Sequence, residues 1–370
     1  MTGRRDARAP WQASEIRRIL FVQFGGIGDV ILAFPAIKSL REAYPDARLT
    51  LMVESRAKGV GAFNPAIDEV LAFDAKDRPT LAEFLDVVGG LRSRYFDLAV
   101  ASGRSPAIPA LLLLSGARYR VGYAANPLSM LLTVAAPLER KQYAGWMYYD
   151  LVGSFLDIPA CVPQVVVAPD DQAWATEFRA RNGLVDGDAV VVLHPGASRM
   201  AARRGIHKTW EPRRWAEVAR QLLAASCKVV LAGGPDDDEG VAAILATGLE
   251  GVVVAHGQTR SLGQLAALIQ RAALLIAVDS APMHLGIAVG TPTVGIFGPT
   301  DPDKLIPPGT SHQAVHVGGL ACRPCLWDRR STTCQEITCL RDLTPDMVLA
   351  AAHRALPSRA DTRSVQREAE

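Results

Sequence analysis

At 370 residues, with 49% hydrophobic and 21% charged side chains, the chain is large enough for two core-bearing domains and too apolar for a disordered protein. Forty Lys plus Arg against 38 Asp plus Glu leave a formal charge of +2, which excludes a protein that works by coating nucleic acid. Any anion recognition is therefore local, and six cysteines in so long a chain do not make a disulfide scaffold.

Residues 1–16 are basic and lack the apolar core of a signal peptide, which reads as a flexible N-terminus on a cytoplasmic protein. Over residues 19–24 a β-rich apolar run meets the glycine turn Gly25-Gly26-Ile27-Gly28, and Asp29 then opens a helical pattern to about Tyr44. Residues 49–53, 69–73, 98–101 and 119–122 read as further short buried strands, and 80–94 as a helix. Residues 17–165 are thus expected to form one α/β domain with a largely parallel sheet. Pro159, Pro163 and Pro169 break the periodicity between Tyr143 and Gly187, which places the junction there. A second series fills 185–343, with strands at 189–193, 228–232, 251–255, 273–278 and 293–297 and helices near 211–225, 262–271 and 282–289. A last helix is expected over 344–357, capped by Thr344, before a solvated tail at 358–370. The uncharged run from Ser280 to Thr300 has the length of a membrane span, but Pro282, Gly286, Gly290, Pro292 and Pro299 make it a poor one.

The turns after these strands carry the polar residues. A dinucleotide reading of the first fails, because G-x-G-x-x-G from Gly26 needs glycine where the chain has Ile31. Asp29 projects from the carboxyl edge of a parallel sheet, as a helix cap or as a catalytic carboxylate. In the second half, His194-Pro195-Gly196-Ala197-Ser198 ends a strand and leads into Arg199, Arg203, Arg204, His207 and Lys208, either a phosphate site or a solvated basic loop. Trp210 is a core anchor by the same reading. Asp236, in Gly233-Gly234-Pro235-Asp236, is placed to meet a ribose hydroxyl or to cap a helix. Asp279-Ser280-Ala281-Pro282-Met283-His284 interrupts a very apolar region where a helix begins, which again suits phosphate. Cys322, Cys325, Cys334 and Cys339 form a C-x2-C-x8-C-x4-C array that suits structural zinc or iron, with disulfides and free thiols as alternatives. No G-x-S-x-G elbow, H-E-x-x-H helix or Walker lysine motif occurs.

Six motifs in order, Phe24-Gly25-Gly26-Ile27-Gly28-Asp29-Val30-Ile31, His194-Pro195-Gly196, Lys208-Thr209-Trp210, Gly233-Gly234-Pro235-Asp236, Asp279-Ser280-Ala281-Pro282-Met283-His284 and Phe297-Gly298-Pro299-Thr300, resemble those of the bacterial ADP-heptose lipopolysaccharide heptosyltransferases, glycosyltransferase family 9. The resemblance covers about residues 17–357 and implies a GT-B architecture. That is two Rossmann-like domains with parallel sheets facing a central cleft, the acceptor on the first, the donor nucleotide on the second, and a last helix crossing back.

Carried over by motif, the resemblance makes Asp29 the base that deprotonates the acceptor hydroxyl in an inverting transfer. Lys208 would neutralise the donor diphosphate, and the amides around Asp279, Ser280 and Ala281 would share the leaving-group charge without a metal. Gly196, Ser198, Asp236 and His284 would complete the donor contacts. Gly26, Gly28 and Arg104 would lie on the acceptor side. Two departures concern the donor side: the family's D-T-G-P is here Asp279-Ser280-Ala281-Pro282, whose alanine adopts positive φ less freely than glycine, and the loop from Arg199 to His207 is added. The acceptor run is Ala99-Val100-Ala101-Ser102-Gly103-Arg104-Ser105, unlike the family's D-x-R-x-S. The implied partners are a nucleotide-sugar donor, ADP-heptose first, and a saccharide or glycolipid acceptor such as lipopolysaccharide core, with no cofactor for catalysis. Alternatives are another sugar nucleotide, a protein or natural-product acceptor, a nucleotide-sugar 2-epimerase, and a non-catalytic sugar-nucleotide-binding module. The basic, Trp-containing N-terminus is a candidate for peripheral contact with the inner face of the inner membrane, against the commoner solvated tail.

Overall fold

The computed structural model describes residues 9–75, 80–326 and 329–356. The chain divides into two compact units, Met1–Val166 and Val167–Glu370. The first is built on β1 (Arg18–Gln23), β2 (Arg48–Val53), β3 (Glu69–Ala72), β4 (Leu98–Ala101), β5 (Tyr119–Tyr123) and β6 (Val134–Ala136). All pair in parallel, in the order β3-β2-β1-β4-β5-β6, with Phe21 of β1 opposite Leu51 of β2 and Val100 of β4. Helices cover both faces of such a sheet, which is why β1, β2 and β4 are continuous apolar runs without alternation.

The second unit repeats the plan with β7 (Val190–His194), β8 (Lys228–Leu231), β9 (Val253–Val254), β10 (Leu274–Val278), β11 (Thr293–Ile296) and β12 (Gln313–Val315), in the order β12-β11-β10-β7-β8-β9. Both units therefore carry the Rossmann-like sheet that the resemblance implies. Strand order reverses between β1 and β4 in the first and between β7 and β10 in the second, and ligands of open parallel sheets bind at the carboxyl ends of such strands. The turns and helix starts there carry residues 24–29 and 102–104 in one unit and 195–198 and 279–280 in the other.

Several elements differ from the sequence reading. The expected helix from Asp29 to Tyr44 is two helices, Ile27–Leu32 and Phe34–Ala43, because Pro35 has no N–H to continue the ladder. The edge strands β6 and β12, three residues each, are too short to carry a periodic pattern in the sequence. Pro169 does not break the periodicity as expected but starts the helix Pro169–Arg181, where a missing N–H costs nothing, and that helix packs on Leu262–Gln270 within the second unit.

The flexible N-terminus expected over 1–16 does not extend to residues 9–16. Trp11 is buried, its ring 4.7 Å from that of Tyr119 and 5.1 Å from that of Phe155, and its indole N–H donates to the Tyr44 hydroxyl at 2.9 Å. Trp11 is thus a core anchor and not a membrane-facing ring. Residues 1–8 and the tail at 358–370 lie outside the described residues. The last helix, Pro345–Ala355, packs on Pro212–Ala224 and on β10 to β12; Thr344 holds the cap position without a side-chain cap bond. Among the described residues no helix is long and apolar enough to cross a membrane.

Candidate active and donor-binding sites

In the first unit the turn after β1 closes tightly on Asp29. A Cβ on Gly25 would stand 2.3 Å from the Asp29 Cβ, so only glycine fits. Asp29 is the third residue of the helix Ile27–Leu32, and its Oδ2 accepts the Gly26 N–H at 2.8 Å. It therefore caps its own helix. Its Oδ1 accepts the Tyr148 phenol O–H at 2.7 Å, so the carboxylate is held at both oxygens by neutral donors. Burial, then the Asp29 charge, hold the Tyr148 phenol well above its usual range, which keeps it protonated and donating.

Gln23, at the end of β1, accepts the Gly25 N–H at 2.9 Å through its Oε1. Beside the turn, Arg56 is ion-paired to buried Glu54, Nη2 to Oε2 at 2.7 Å, and that Nη2 lies 4.0 Å from where a Gly26 Cβ would stand. Gly28 is half-buried in the first helical turn, and Arg104 is exposed on the loop after β4.

In the second unit Lys208 reaches Asp279, at the end of β10, with Nζ to Oδ2 at 3.1 Å; the Thr300 hydroxyl donates to the same oxygen at 2.7 Å. Burial alone would raise the Asp279 carboxyl. Lys208, His284 and the Thr300 hydroxyl outweigh it and hold the group below the usual carboxylate range. Asp279 thus anchors Lys208 through Oδ2, from a buried side chain. An ammonium has three N–H groups, so Lys208 retains donors for an anion. Its anchor lies next to Ser280, the N-cap of the helix Ala281–Ala288; Asp279 N–H donates to the Ile296 carbonyl at 3.1 Å, Met283 N–H to the Ser280 carbonyl at 3.1 Å, and Pro282 has none, which leaves the Ser280 and Ala281 N–H groups to face an anion. Ala281 is helical, and the non-glycine residues of positive φ are Tyr95, Ser226 and Ile337 among those described. The alanine that replaces the family's glycine therefore strains nothing.

The Lys208 segment is held from both sides. Trp210 is buried, edge-on to Trp215 at 5.5 Å, and its N–H donates to the Leu343 carbonyl at 3.1 Å. His207 N–H donates to the Thr333 hydroxyl at 3.0 Å, and Thr333 N–H donates to the Gly205 carbonyl at 2.9 Å. The basic stretch itself forms the short helix Arg199–Arg203, with Ser198 as N-cap accepting from Ala201 N–H at 3.3 Å. Asp236 is exposed and accepts the Arg199 N–H at 2.9 Å, which ties two turns together. Its neighbour Asp237 is the buried one: it accepts the Gly234 N–H at 2.8 Å, and a Cβ on Gly196 would lie 1.6 Å from its Oδ1. His194 Nε2 stands 3.8 Å from the same carboxylate, with burial holding the imidazole below its usual range and hence neutral.

Cys322 is exposed, Cys334 half-buried, Cys325 and Cys339 buried, and all are free thiols. Burial and then neighbouring cysteines raise Cys325 and push Cys339 to about 11, so the four lie within electrostatic reach of one another. Among the described residues no group of three or more His, Cys, Asp or Glu side chains is assembled as a metal site. The segment has a structural part nonetheless. Cys325 N–H donates to the Pro299 carbonyl at 2.9 Å and Arg323 Nη2 to the Thr300 carbonyl at 3.0 Å, bracing the turn that holds Asp279.

Asp29, Lys208, Asp279 and the glycine turns are legible in the sequence, and Thr300 only as the end of the turn Phe297-Gly298-Pro299-Thr300; Tyr148, Asp237, Thr333 and the placement of Arg56 beside Gly26 are not. Comparison with known proteins bears on the whole. The family model described as glycosyltransferase family 9 (heptosyltransferase) matches residues 86–335. Lipopolysaccharide heptosyltransferase 3 of Escherichia coli is 29% identical over 283 residues, covering 74% of this chain and 81% of its own. A glycosyl transferase family 9 structure from Veillonella parvula superposes with a TM-score of 0.74 at 26% identity, over 91% of this chain and 96% of its own. An E. coli heptosyltransferase solved with ADP-2-deoxy-2-fluoro heptose shares the fold, with a TM-score of 0.68 at 19% identity over 91% and 99% of the two chains.

Proposed function

The chain belongs to glycosyltransferase family 9, and from that premise we propose that it is an inverting enzyme that moves heptose from ADP-heptose to a saccharide of lipopolysaccharide core. The observation that carries the donor half is Lys208, anchored by Asp279, which the Thr300 hydroxyl in turn holds, beside the amino end of the helix Ala281–Ala288. A cation and the Ser280 and Ala281 N–H groups at one sheet edge suit a diphosphate and take up its charge as it leaves. Lipopolysaccharide heptosyltransferase 3 of E. coli and the fold shared with a heptosyltransferase holding an ADP-heptose analogue favour this donor over other sugar nucleotides.

In the reaction, the acceptor hydroxyl oxygen attacks the anomeric carbon from the face opposite the diphosphate. Asp29 takes the hydroxyl proton, the bond from the anomeric carbon to the diphosphate oxygen breaks, and ADP leaves, so configuration inverts. Each Asp29 oxygen accepts one hydrogen bond and keeps a lone pair for that proton. Gly196, Ser198, Asp236, Ser280, Ala281 and His284 line the donor turns. Gly26, Gly28 and Arg104 lie on the acceptor side, to which Arg56 adds a cation suited to an acidic or phosphorylated sugar. The four cysteines are proposed to take a structural zinc or iron, outside the chemistry, and metal analysis of purified protein tests this. The reading places the enzyme in the cytoplasm.

The test is a thermal-shift screen of ADP-, GDP-, UDP- and dTDP-sugars with NAD as control. Selective stabilisation by ADP-heptose supports the reading, another sugar nucleotide replaces the donor, and stabilisation by NAD alone overturns it.

A further inference from the structure

Tyr148 lies 119 residues from Asp29 in sequence and arrives on the helix Ala144–Gly153. Its phenol is buried and points its O–H at Asp29 Oδ1 at 2.7 Å. The direction of that bond is determined: a carboxylate only accepts, so the phenol donates to Asp29. Gln23 ties the group further, its Nε2 reaching the Asp29 carbonyl at 3.4 Å and its Oε1 the Gly25 N–H. The helix is itself fixed, because the Tyr123 hydroxyl donates to the Met147 carbonyl at 2.7 Å and Leu151 and Val152 are buried.

We propose that Tyr148 is a positioning residue for the transfer, its O–H fixing the rotation of the Asp29 carboxylate so that one oxygen lone pair stays aimed at the acceptor hydroxyl. This rests on the reading of Asp29 as the base. The carboxylate torsion of aspartate is broad and roughly two-fold, so a single bond from Gly26 leaves it loose, and a second bond at the other oxygen locks it. The loss from a mis-aimed base falls on the chemical step and spares donor binding, which is the work of the second unit.

The experiment measures ADP release from ADP-heptose, with core-truncated lipopolysaccharide as acceptor, for wild type, Tyr148→Phe, Asp29→Asn, the double variant and Tyr123→Phe. ADP-heptose affinity is measured alongside by calorimetry. Phenylalanine keeps the ring and removes only the hydroxyl. Tyr148→Phe is expected to lower kcat by about 10–100 fold with unchanged donor Kd. It adds nothing to Asp29→Asn in the double variant, and Tyr123→Phe, which loosens the same helix away from Asp29, stays within about threefold of wild type. An inactive Asp29→Asn with a near-wild-type Tyr148→Phe overturns the role of Tyr148 and leaves the base reading standing. A near-wild-type Asp29→Asn overturns the base reading itself. Equal losses in Tyr148→Phe and Tyr123→Phe, or a full additional loss in the double variant, would show Tyr148 acting through general packing and overturn the proposal.

Discussion

Asp29, in the first turn of a helix of the first unit, and Asp279, on a turn of the second, stand beside the points where like-ordered sheets reverse, yet they meet opposite surroundings. Asp29 is half-buried and is held by a main-chain N–H and a phenol O–H, two neutral donors. Asp279 is buried and faces an ammonium at 3.1 Å and a hydroxyl at 2.7 Å on the same oxygen. The first arrangement orients a carboxylate and leaves its lone pairs open to a proton. The second uses the carboxylate's charge to hold a lysine. A shared sheet thus delivers carboxylates to like positions, and side chains from distant segments decide which becomes a base and which an anchor.

The sharpest way to break this contrast is to remove the basicity of one carboxylate and the charge of the other. Asp29→Asn keeps the size of the side chain but cannot take the acceptor proton, so turnover should fall by about 10²–10⁴ fold while the melting temperature stays near wild type. Asp279→Ala should act in the reverse sense. It leaves the Lys208 ammonium, only 17% exposed, without its counter-charge, and the loss of stability in denaturant unfolding should be about 3–5 kcal/mol. Acid tests the same pair without a gross cavity. The Asp279 carboxyl is held below its unfolded value, so its contribution is complete above about pH 4 and is lost as pH falls through the lowered folded value. The stability gap between wild type and Asp279→Asn should therefore narrow below about pH 4, and a gap that widens there would reverse the sign.

Smaller effects sharpen the comparison at the turns. Gly196→Ala puts a methyl 1.6 Å from Asp237 Oδ1, which must move, at about 1–3 kcal/mol of stability by chemical denaturation. Thr333→Ala removes the latch on His207 and Gly205, for about 1 kcal/mol of stability and a modest weakening of ADP-heptose binding by calorimetry.

What could be read from the sequence followed how local the determinants are. Central strands such as β1 and β10 are apolar runs between turn residues, and periodicity finds them, whereas β6 and β12 are too short to carry a pattern. Pro35 and Pro169 show proline meaning opposite things by position, dividing one helical run and opening another. Asp29, Lys208 and Asp279 stand out because they lie beside glycine or proline turns or within a basic run. Tyr148 and Thr333 do not, and Thr300, though it follows the Gly298-Pro299 turn, gives no sign of its partner, because each acts on a residue brought near only by the fold. Thr333 meets His207 across 126 residues, and nothing around either position signals it.

The division of labour between the two carboxylates is tested most directly by calorimetry of ADP-heptose on Asp29→Asn and Lys208→Ala side by side. The account predicts unchanged affinity in Asp29→Asn and at least tenfold weaker binding in Lys208→Ala. Unchanged binding in Lys208→Ala, or an equal loss in both variants, would contradict it.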